Sequence, residues 1–491
     1  MKILFVYPND YLNIGIPTGL STLIAVLKKE GHDVSLFDYT FIKTNQLNKE
    51  RIVETSVYKP TAYTIDDLVR DDPIQTVEEA FEKHLNSYCP DLICLSAMTG
   101  LFDVGTDLLN KFKSKLKCKV VAGGVHSTIA PEDALSSEVV DFICIGEGEE
   151  FLLEVCECLE KGKDYRHINN LGYKTNKGVQ LNESRTLINL DELPIPDWSA
   201  FDRRHLFRPF MGEVYQGSFY IMSRGCPFRC AYCVNGPLKE QLKGHGIYYR
   251  YQSPKTTIKQ ISYLKQMFNA TWFKFVDDSI MGFKEDYLEE LSEGLAPLNI
   301  KFGCSVRPET ANEKKVSLLK GMGCVSMSIG VESGNEELRK KVLNRKMSNK
   351  QIERAIFIIK SHGIRASTFN MIGLPGETRE NVYETIKFNK SLGVKAVNIY
   401  IVYPYPRTEI YNKYNLDFRD KTGKIIPVNM ASSFNLSKMS SGEVEGLRRV
   451  FSLYLILPEE LWPVIKYAEM TDEIGNVVFD SLTNYSAKML N

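Results

Sequence analysis

The sequence predicts an α/β protein of two successive units, a doubly wound parallel sheet and then a barrel-like run of β/α repeats, with a small helical region at the C-terminus. Three observations carry this. In the first third, short apolar β-rich runs alternate with helical stretches, the pattern of a doubly wound sheet. From about residue 216 onward, further β/α units end their strands in polar residues, as in barrels whose strand C-termini form the active site. Between the two, the loop "SRGCPFRCAYC" follows an apolar run and sets Cys226, Cys230 and Cys233 in a C-x3-C-x2-C spacing.

The first unit reads in order. "KILFVYP" is a strand that stops at Pro8, and "TGLSTLIAVLKKEGHDVSLFD" is a helix closed by Gly31 and a strand ending at Asp38. After a polar insertion at about 42–85, "DLICLSAMTG" is a third strand, "LLNKFKSKLKC" a helix, "KVVAGGVHST" a strand and glycine turn, and "DFICIGEGEEF" a strand entering a helix. Ligands of such sheets lie beyond the carboxyl ends of the strands. The polar tips there are Pro8 and Asn9; Ser96, Ala97 and Met98; Gly123, Gly124, Val125 and His126; and Gly146, Glu147, Gly148 and Glu149. Each glycine tip alone is turn chemistry; all of them on one edge read as a ligand platform. No G-x-G-x-x-G fingerprint is present, which argues against a nicotinamide cofactor.

Prolines at "LDELPIPDWSAFD" favour extended backbone, so residues of about 161–215 read as a strap between units. In the second unit, "TWFKFVDDSI" ends a strand in Asp277 and Asp278, "KFGCSVRPE" in Arg307, "CVSMSIGVESG" in Glu332, and "ASTFNMIGLPGET" in a turn holding Gly373, Pro375 and Gly376. "AVNIYIVYPYPRTEIY" completes the series, with Tyr403 and Tyr405 near the barrel mouth as pocket or core residues. Arg307 reads about equally as a substrate clamp and as a surface ion pair. The tail, 413–491, is helical and without a motif; it is expected to cap the barrel and shape the substrate entrance.

Composition bounds the function. The 491 residues suggest two or three domains, and 43% hydrophobic content is ample for buried cores. Lys+Arg and Asp+Glu balance at 61 each, which argues against nucleic acid as the partner. No run approaches a membrane span, and "MKILFVYPND" is too short an apolar run for a signal peptide. The eleven cysteines then read as mostly free thiols in a reducing cytoplasm.

Three cysteines leave a four-cornered site one ligand short. Zinc takes C-x2-C pairs such as Cys230 and Cys233, with His245 as a recruitable ligand. A redox C-x-x-C would need a thioredoxin-like surround, which is missing. Three unrelated buried cysteines are the bland alternative, and the spacing after a strand, with Gly225 and Pro227 shaping the loop, speaks against chance. A [4Fe–4S] cube normally takes four thiolates.

The quoted loop, with Tyr232 before its third cysteine, resembles the radical S-adenosylmethionine (SAM) superfamily over roughly residues 216–412. The order "PTGLSTLIAVLKKEGHDVSLFD", "GGVHSTIAPED", "GEGEEF", "LDELPIPDW" resembles the Rossmann-like cobalamin-binding domain that precedes many radical SAM cores. This resemblance implies a [4Fe–4S] cluster on Cys226, Cys230 and Cys233, whose open iron takes the amino nitrogen and carboxylate of SAM. Electron transfer from the reduced cluster then cleaves the sulfonium to a 5′-deoxyadenosyl radical. It implies SAM contacts from Tyr232, from Glu332, from Asp277 and Asp278 in place of the usual Gly-Gly-Glu, and from backbone near Gly373, Pro375 and Gly376. It also implies a corrin over Ser96, Ala97 and Met98, over Gly123, Gly124, Val125 and His126, and over Glu147, Gly148 and Glu149. The D-x-H-x-x-G signature that supplies a lower histidine to cobalt elsewhere is absent, so His126 is expected to shape its loop.

The expected organisation is therefore a cobalamin-binding domain at 1–160, a strap at 161–215, a partial (β/α)6 radical SAM barrel at 216–412 and a helical region at 413–491. The implied activity is cobalamin-dependent radical SAM methylation of an unactivated carbon or phosphorus centre. Its rivals are radical cyclisation or rearrangement with the same cofactors, and a non-catalytic corrinoid or iron–sulfur binding protein. A methylthiotransferase would bring a second cysteine trio, which Cys89, Cys94, Cys118 and Cys144 do not form. Expected partners are a small-molecule, lipid or natural-product substrate and a reductant such as flavodoxin or ferredoxin.

Overall fold

The computed structural model describes residues 1–10, 14–44 and 68–490. The first sheet is built from β1 (Lys2–Tyr7), β2 (Asp33–Asp38), β3 (Leu92–Ser96), β4 (Lys119–Gly123), β5 (Phe142–Cys144), β6 (Leu171–Thr175) and β7 (Gly178–Leu181). Their order is β2-β1-β3-β4-β5-β6-β7, parallel through β5 and antiparallel beyond it. The order reverses between β1 and β3, the switch point where such sheets open a crevice. Strands buried on both faces need unbroken apolar runs, and Ile3, Leu4, Phe5 and Val6 are all buried. The helix Thr18–Lys29 covers one face with Leu20, Ile24 and Leu27, and Gly31 (φ +85°) turns the chain into β2.

Two expectations shift here. The helix after β3 starts at Thr99, earlier than the charged stretch suggested. The strap contains the hairpin β6–β7, which joins the first sheet; Gly178 (φ +115°) takes its turn. The first unit thus reaches Leu181, and the extended strap follows it. Part of the polar insertion, residues 45–67, lies outside the described residues. The strap's Trp198 is buried and meets Phe268 and Phe273 of the second unit, ring centroids 5.7 and 6.0 Å apart. One apolar core runs from Phe5 and Leu20 through Trp198 into Phe273 and Phe302, so the units are packed together.

Two hairpin-like pairs flank the second sheet, β8 (Phe207–Phe210) with β9 (Glu213–Gln216) and β11 (Ser223–Arg224) with β12 (Arg250–Tyr251). The sheet itself is β10 (Phe219–Tyr220), β13 (Trp272–Phe275), β14 (Lys301–Val306), β15 (Cys324–Glu332), β16 (Arg365–Ile372) and β17 (Val397–Ile401). All six strands are parallel in chain order, and among the described residues β10 does not pair with β17. This is the partial (β/α)6 barrel expected. The tail packs its helix Ser441–Ile456 against the last barrel helix and strand. On the way, residues 414–427 return to the first unit: Phe418 and Ile425 join its core, and Arg419 bonds Asp103 at 3.0 Å and Asp133 at 2.7 Å. No described helix is long and apolar enough to cross a membrane.

Candidate active site

The cysteine loop leaves β11 through Gly225 (φ +82°), where a Cβ would strike the Tyr248 carbonyl. Distant segments hold the loop by its backbone. Ala231 N–H donates to Leu343 O at 3.0 Å, Ala231 O accepts from Ile410 N–H at 3.1 Å, and Asn344 donates to Arg229 O at 2.8 Å. A tight turn, Cys233 N–H to Cys230 O at 3.1 Å, brings two of the thiols close in the chain. Burial pushes the Cys226 thiol up to about 11 and raises that of Cys233, so neither becomes a thiolate without positive charge beside it. Arg307 supplies some: its Nη1 donates to Cys230 Sγ at 2.8 Å, its guanidinium lies 3.8 Å from the Phe228 ring centroid, and Glu309 holds its far side. Arg307 is therefore neither a free substrate clamp nor a plain surface ion pair.

The strand-end acids separate into different roles. Glu332 ends β15 in a left-handed conformation (φ +65°) just past a register break at Gly330. Its buried carboxylate accepts from Tyr232 Oη at 3.0 Å and lies 3.6 Å from Arg345 Nη1. Burial raises its carboxyl against the pull of Arg345. Asp277 is pinned: Oδ1 accepts from Met222 N–H, Ser223 N–H and Ser223 Oγ at 2.9, 2.7 and 2.6 Å. It straps the start of the cysteine loop, and burial pushes its carboxyl up to about 7. Its neighbour Asp278 instead faces a cavity, beside Asn235. In the Gly-Pro-Gly turn, Gly373 (φ +74°) and Gly376 (φ +76°) bend the chain around Glu377, which accepts from Gly373 N–H at 2.7 Å. Tyr403 is buried and donates to Ile426 O at 2.9 Å, and Tyr405 packs on it at 4.8 Å, so the tail covers this pair.

That cavity, of about 480 Å³, joins the two units. Its first-unit wall includes Ser96, Gly123, Gly124, Val125, Glu147, Gly148 and Glu149; its barrel wall includes Gly225, Asn235, Tyr248 and Asp278. Thr128 staples the glycine turns, donating to Gly124 O and accepting from Gly146 N–H, both at 3.0 Å. Ala97 and Met98 do not line it, and no lining residue is a histidine. His126 is turned away, buried against Phe102 at 4.3 Å with Nε2 3.0 Å from Asp133. Sequence reading missed Arg224, which lies between Glu147 (2.7 Å) and Glu149 and locks the two units together. Arg250 also bonds Glu147. Burial pushes the Glu147 carboxyl up, but the two arginines outweigh it and hold it below the usual range. Their signal was present in the sequence as an arginine on each of two short strands flanking the cysteine loop, facing an acidic turn.

The family model of the radical SAM superfamily matches residues 220–388, and that of the B12 binding domain matches residues 9–156. The chain carries a B12 binding domain followed by a radical SAM domain. The fold agrees: the structure of the radical SAM methyltransferase TsrM from Kitasatospora setae, with cobalamin and a [4Fe–4S] cluster bound, superposes with a TM-score of 0.67 at 15% identity, covering 100% of this chain and 99% of that one. An uncharacterized methyltransferase of Pyrococcus horikoshii is 27% identical over 84% of this chain and 82% of its own. The anaerobic magnesium-protoporphyrin IX monomethyl ester cyclase of Rubrivivax gelatinosus is 22% identical over 76% of this chain and 68% of its own.

A radical SAM protein of this kind uses a [4Fe–4S] cluster, SAM and cobalamin, and the residues fit all three. Cys226, Cys230 and Cys233 would each give a thiolate to a separate iron of such a cluster. Among the described residues no three His, Cys, Asp or Glu side chains gather on one point as a single ion requires; a cube, with its irons at separate corners, does not require it. Glu332, Tyr232 and Arg345 form a polar corner on the cysteines' side of the barrel, Arg345 Nη1 lying 3.9 Å from Cys230 Sγ. The glycine-edged cavity has the size of a cofactor pocket. Replacing Glu332 by glutamine should weaken SAM binding about ten- to a hundredfold, the loss of a charged hydrogen bond, with cluster content unchanged. Equilibrium binding of SAM to the reconstituted protein measures this, and unaltered affinity would assign Glu332 to holding Arg345.

Proposed function

We propose that this enzyme methylates an unactivated carbon or phosphorus centre of a small-molecule, lipid or natural-product substrate. One observation supports it above the others: a single cavity runs from the B12 edge of the first sheet to Asn235, Tyr248 and Asp278 beside the cysteine loop. When bound, the cluster and SAM supply hydrogen-atom abstraction, and the corrin supplies a transferable methyl group. The chain's own residues orient and enclose. Glu332, with Tyr232 and Arg345, offers a buried acceptor for SAM's polar groups, and Asp278 with Asn235 offers a second at the cavity. Backbone near Gly373, Pro375 and Gly376 would hold SAM's adenine. Arg224, paired with Glu147 and Glu149, ties the two units across the seam. His126 stays a loop residue, held by Asp133 and absent from the cavity wall. A flavodoxin- or ferredoxin-type protein of the cytoplasm is the fitting reductant.

Radical cyclisation is the second reading, favoured by the resemblance to the Rubrivivax cyclase. Anaerobic turnover with methyl-deuterated SAM separates the two. Methylation adds one labelled methyl group to the product, with release of 5′-deoxyadenosine. A product that carries no label contradicts it and supports ring formation or rearrangement.

A further inference from the structure

Two guanidinium groups of the barrel converge on one of the three thiols. Arg307 Nη1 donates to Cys230 Sγ at 2.8 Å, and Arg345 Nη1 lies 3.9 Å from the same atom. Cys233 receives the neutral Asn235 amide instead, at 3.7 Å. Among the described residues no arginine or lysine donates to Cys226 or Cys233. Positive charge at the loop is therefore one-sided.

The chain fixes Arg307 in that place from three directions. A residue before proline is kept in extended backbone, and Arg307, with Pro308 after it, leaves β14 at φ −91° and ψ 134°. Thr310 closes the turn by donating its N–H and its Oγ to the Arg307 carbonyl, at 3.1 and 2.8 Å. The guanidinium lies over Phe228, a ring of the cysteine loop itself, 3.8 Å from its centroid. Glu309 accepts from Nε at 3.0 Å and also from Nη2. A guanidinium is a planar fork of five N–H donors. Here one edge is taken by Glu309, and Nη1 is left for the sulfur. The Arg307 and Glu309 side chains are only 12% and 23% exposed, so solvent screens their charges weakly.

Arg345 is committed elsewhere. Its Nη2 donates to Gly330 O at 2.6 Å, and its Nη1 lies 3.4 Å from Tyr232 Oη and 3.6 Å from the Glu332 carboxylate. Arg307 is the cation whose free edge is given to a thiol.

Hydrogen bonds to the sulfurs and net charge set the potential of an iron–sulfur centre. Reduction brings one electron from the low-potential reductant, which is oxidised by one electron, and so adds one negative charge at the loop; no proton need move. A guanidinium on a ligand sulfur favours that added charge, and a carboxylate behind it opposes it. We propose that Arg307 is a positioning residue that raises the reduction potential of the cluster through Cys230, and that Glu309 limits this rise from the guanidinium's other edge. The proposal rests on the cluster's place at the cysteine loop; it is independent of whether the product is methylated or cyclised.

Redox titration of the anaerobically reconstituted holoenzyme, without SAM or substrate and followed by the electron paramagnetic resonance of the reduced cluster, tests it. Arg307→Gln should make reduction about tenfold less favourable, one charged hydrogen bond's worth, a fall of about 59 mV for one electron. Glu309→Gln keeps the shape and an acceptor oxygen but removes the negative charge, and should move the potential upward by a similar amount. Arg307→Lys keeps the charge and loses the fork, and should recover part of the fall. Shifts of opposite sign in Arg307→Gln and Glu309→Gln, at equal iron content, support the proposal. Shifts of the same sign, or potentials equal to that of the wild type in both, overturn it. If Arg307→Gln takes up no iron, Glu309→Gln decides alone: a raised potential supports the proposal, and an unchanged or lowered one overturns it. The titration needs no turnover, so a failed methyl-transfer assay leaves it standing.

Discussion

Replacing Cys226, Cys230 and Cys233 together by alanine should abolish the cluster's visible absorption and SAM cleavage in one step. The loop would supply three thiolates, one per iron, and Cys304 and Cys324 cannot substitute. Cys304 and Cys324 are buried on the helix-covered face of β14 and β15. The fold should survive. The loop is held by the backbone of Arg229 and Ala231, through Leu343, Asn344 and Ile410, and none of those bonds uses a thiol. Anaerobic reconstitution followed by iron analysis and assay of 5′-deoxyadenosine checks both losses. Retained absorption in the triple variant would remove the cluster from this loop.

Gly123→Leu should lose the corrin and keep the cluster. Gly124 is the poorer test site: its φ of +100° disfavours any side chain, and a Cβ there would stand 2.8 Å from Ala97 O. A defect at Gly124 would thus mix strain with exclusion. At Gly123 an added Cβ makes only an ordinary 3.7 Å contact with Cys144 Cβ, so the backbone accepts leucine and the side chain enters the cavity. Corrin absorbance after gel filtration should fall to background while iron content stays at the wild-type level. Corrin that remains bound at full occupancy would mean the cavity serves another ligand.

Local signals made the fold legible. β1 to β5 and the six barrel strands are runs of apolar residues closed by proline, glycine or acid, and each needs only its own neighbours in the chain to be read. The cysteine loop is legible for the same reason. Long-range pairing was not. Arg224 finds Glu147 and Glu149 across 77 and 75 residues, and Arg419 finds Asp103 across 316; no periodicity announces such partners. Adjacent acids also look alike in sequence. Asp277 is tied to the backbone of Met222 and Ser223, whereas Asp278 faces the cavity, because successive residues past a strand point to opposite sides. Gly123 and Gly124 marked the expected ligand edge, but the short helix Val125–Ile129 that starts there rotates His126 into the core behind it. The β6–β7 hairpin was hidden by a polar, half-exposed sequence that pairs at the sheet's edge.

The corrin edge of the first sheet and the flank of the cysteine loop meet at one cavity on the seam of the two units, which would set corrin and cluster side by side. Electron paramagnetic resonance of the holoenzyme tests it most directly, with the corrin in its Co(II) form and the cluster reduced. The shared cavity predicts that the Co(II) signal broadens through magnetic coupling when the cluster becomes paramagnetic, and sharpens again in the triple cysteine variant. A Co(II) signal identical with and without the reduced cluster would place the two centres apart and contradict the claim.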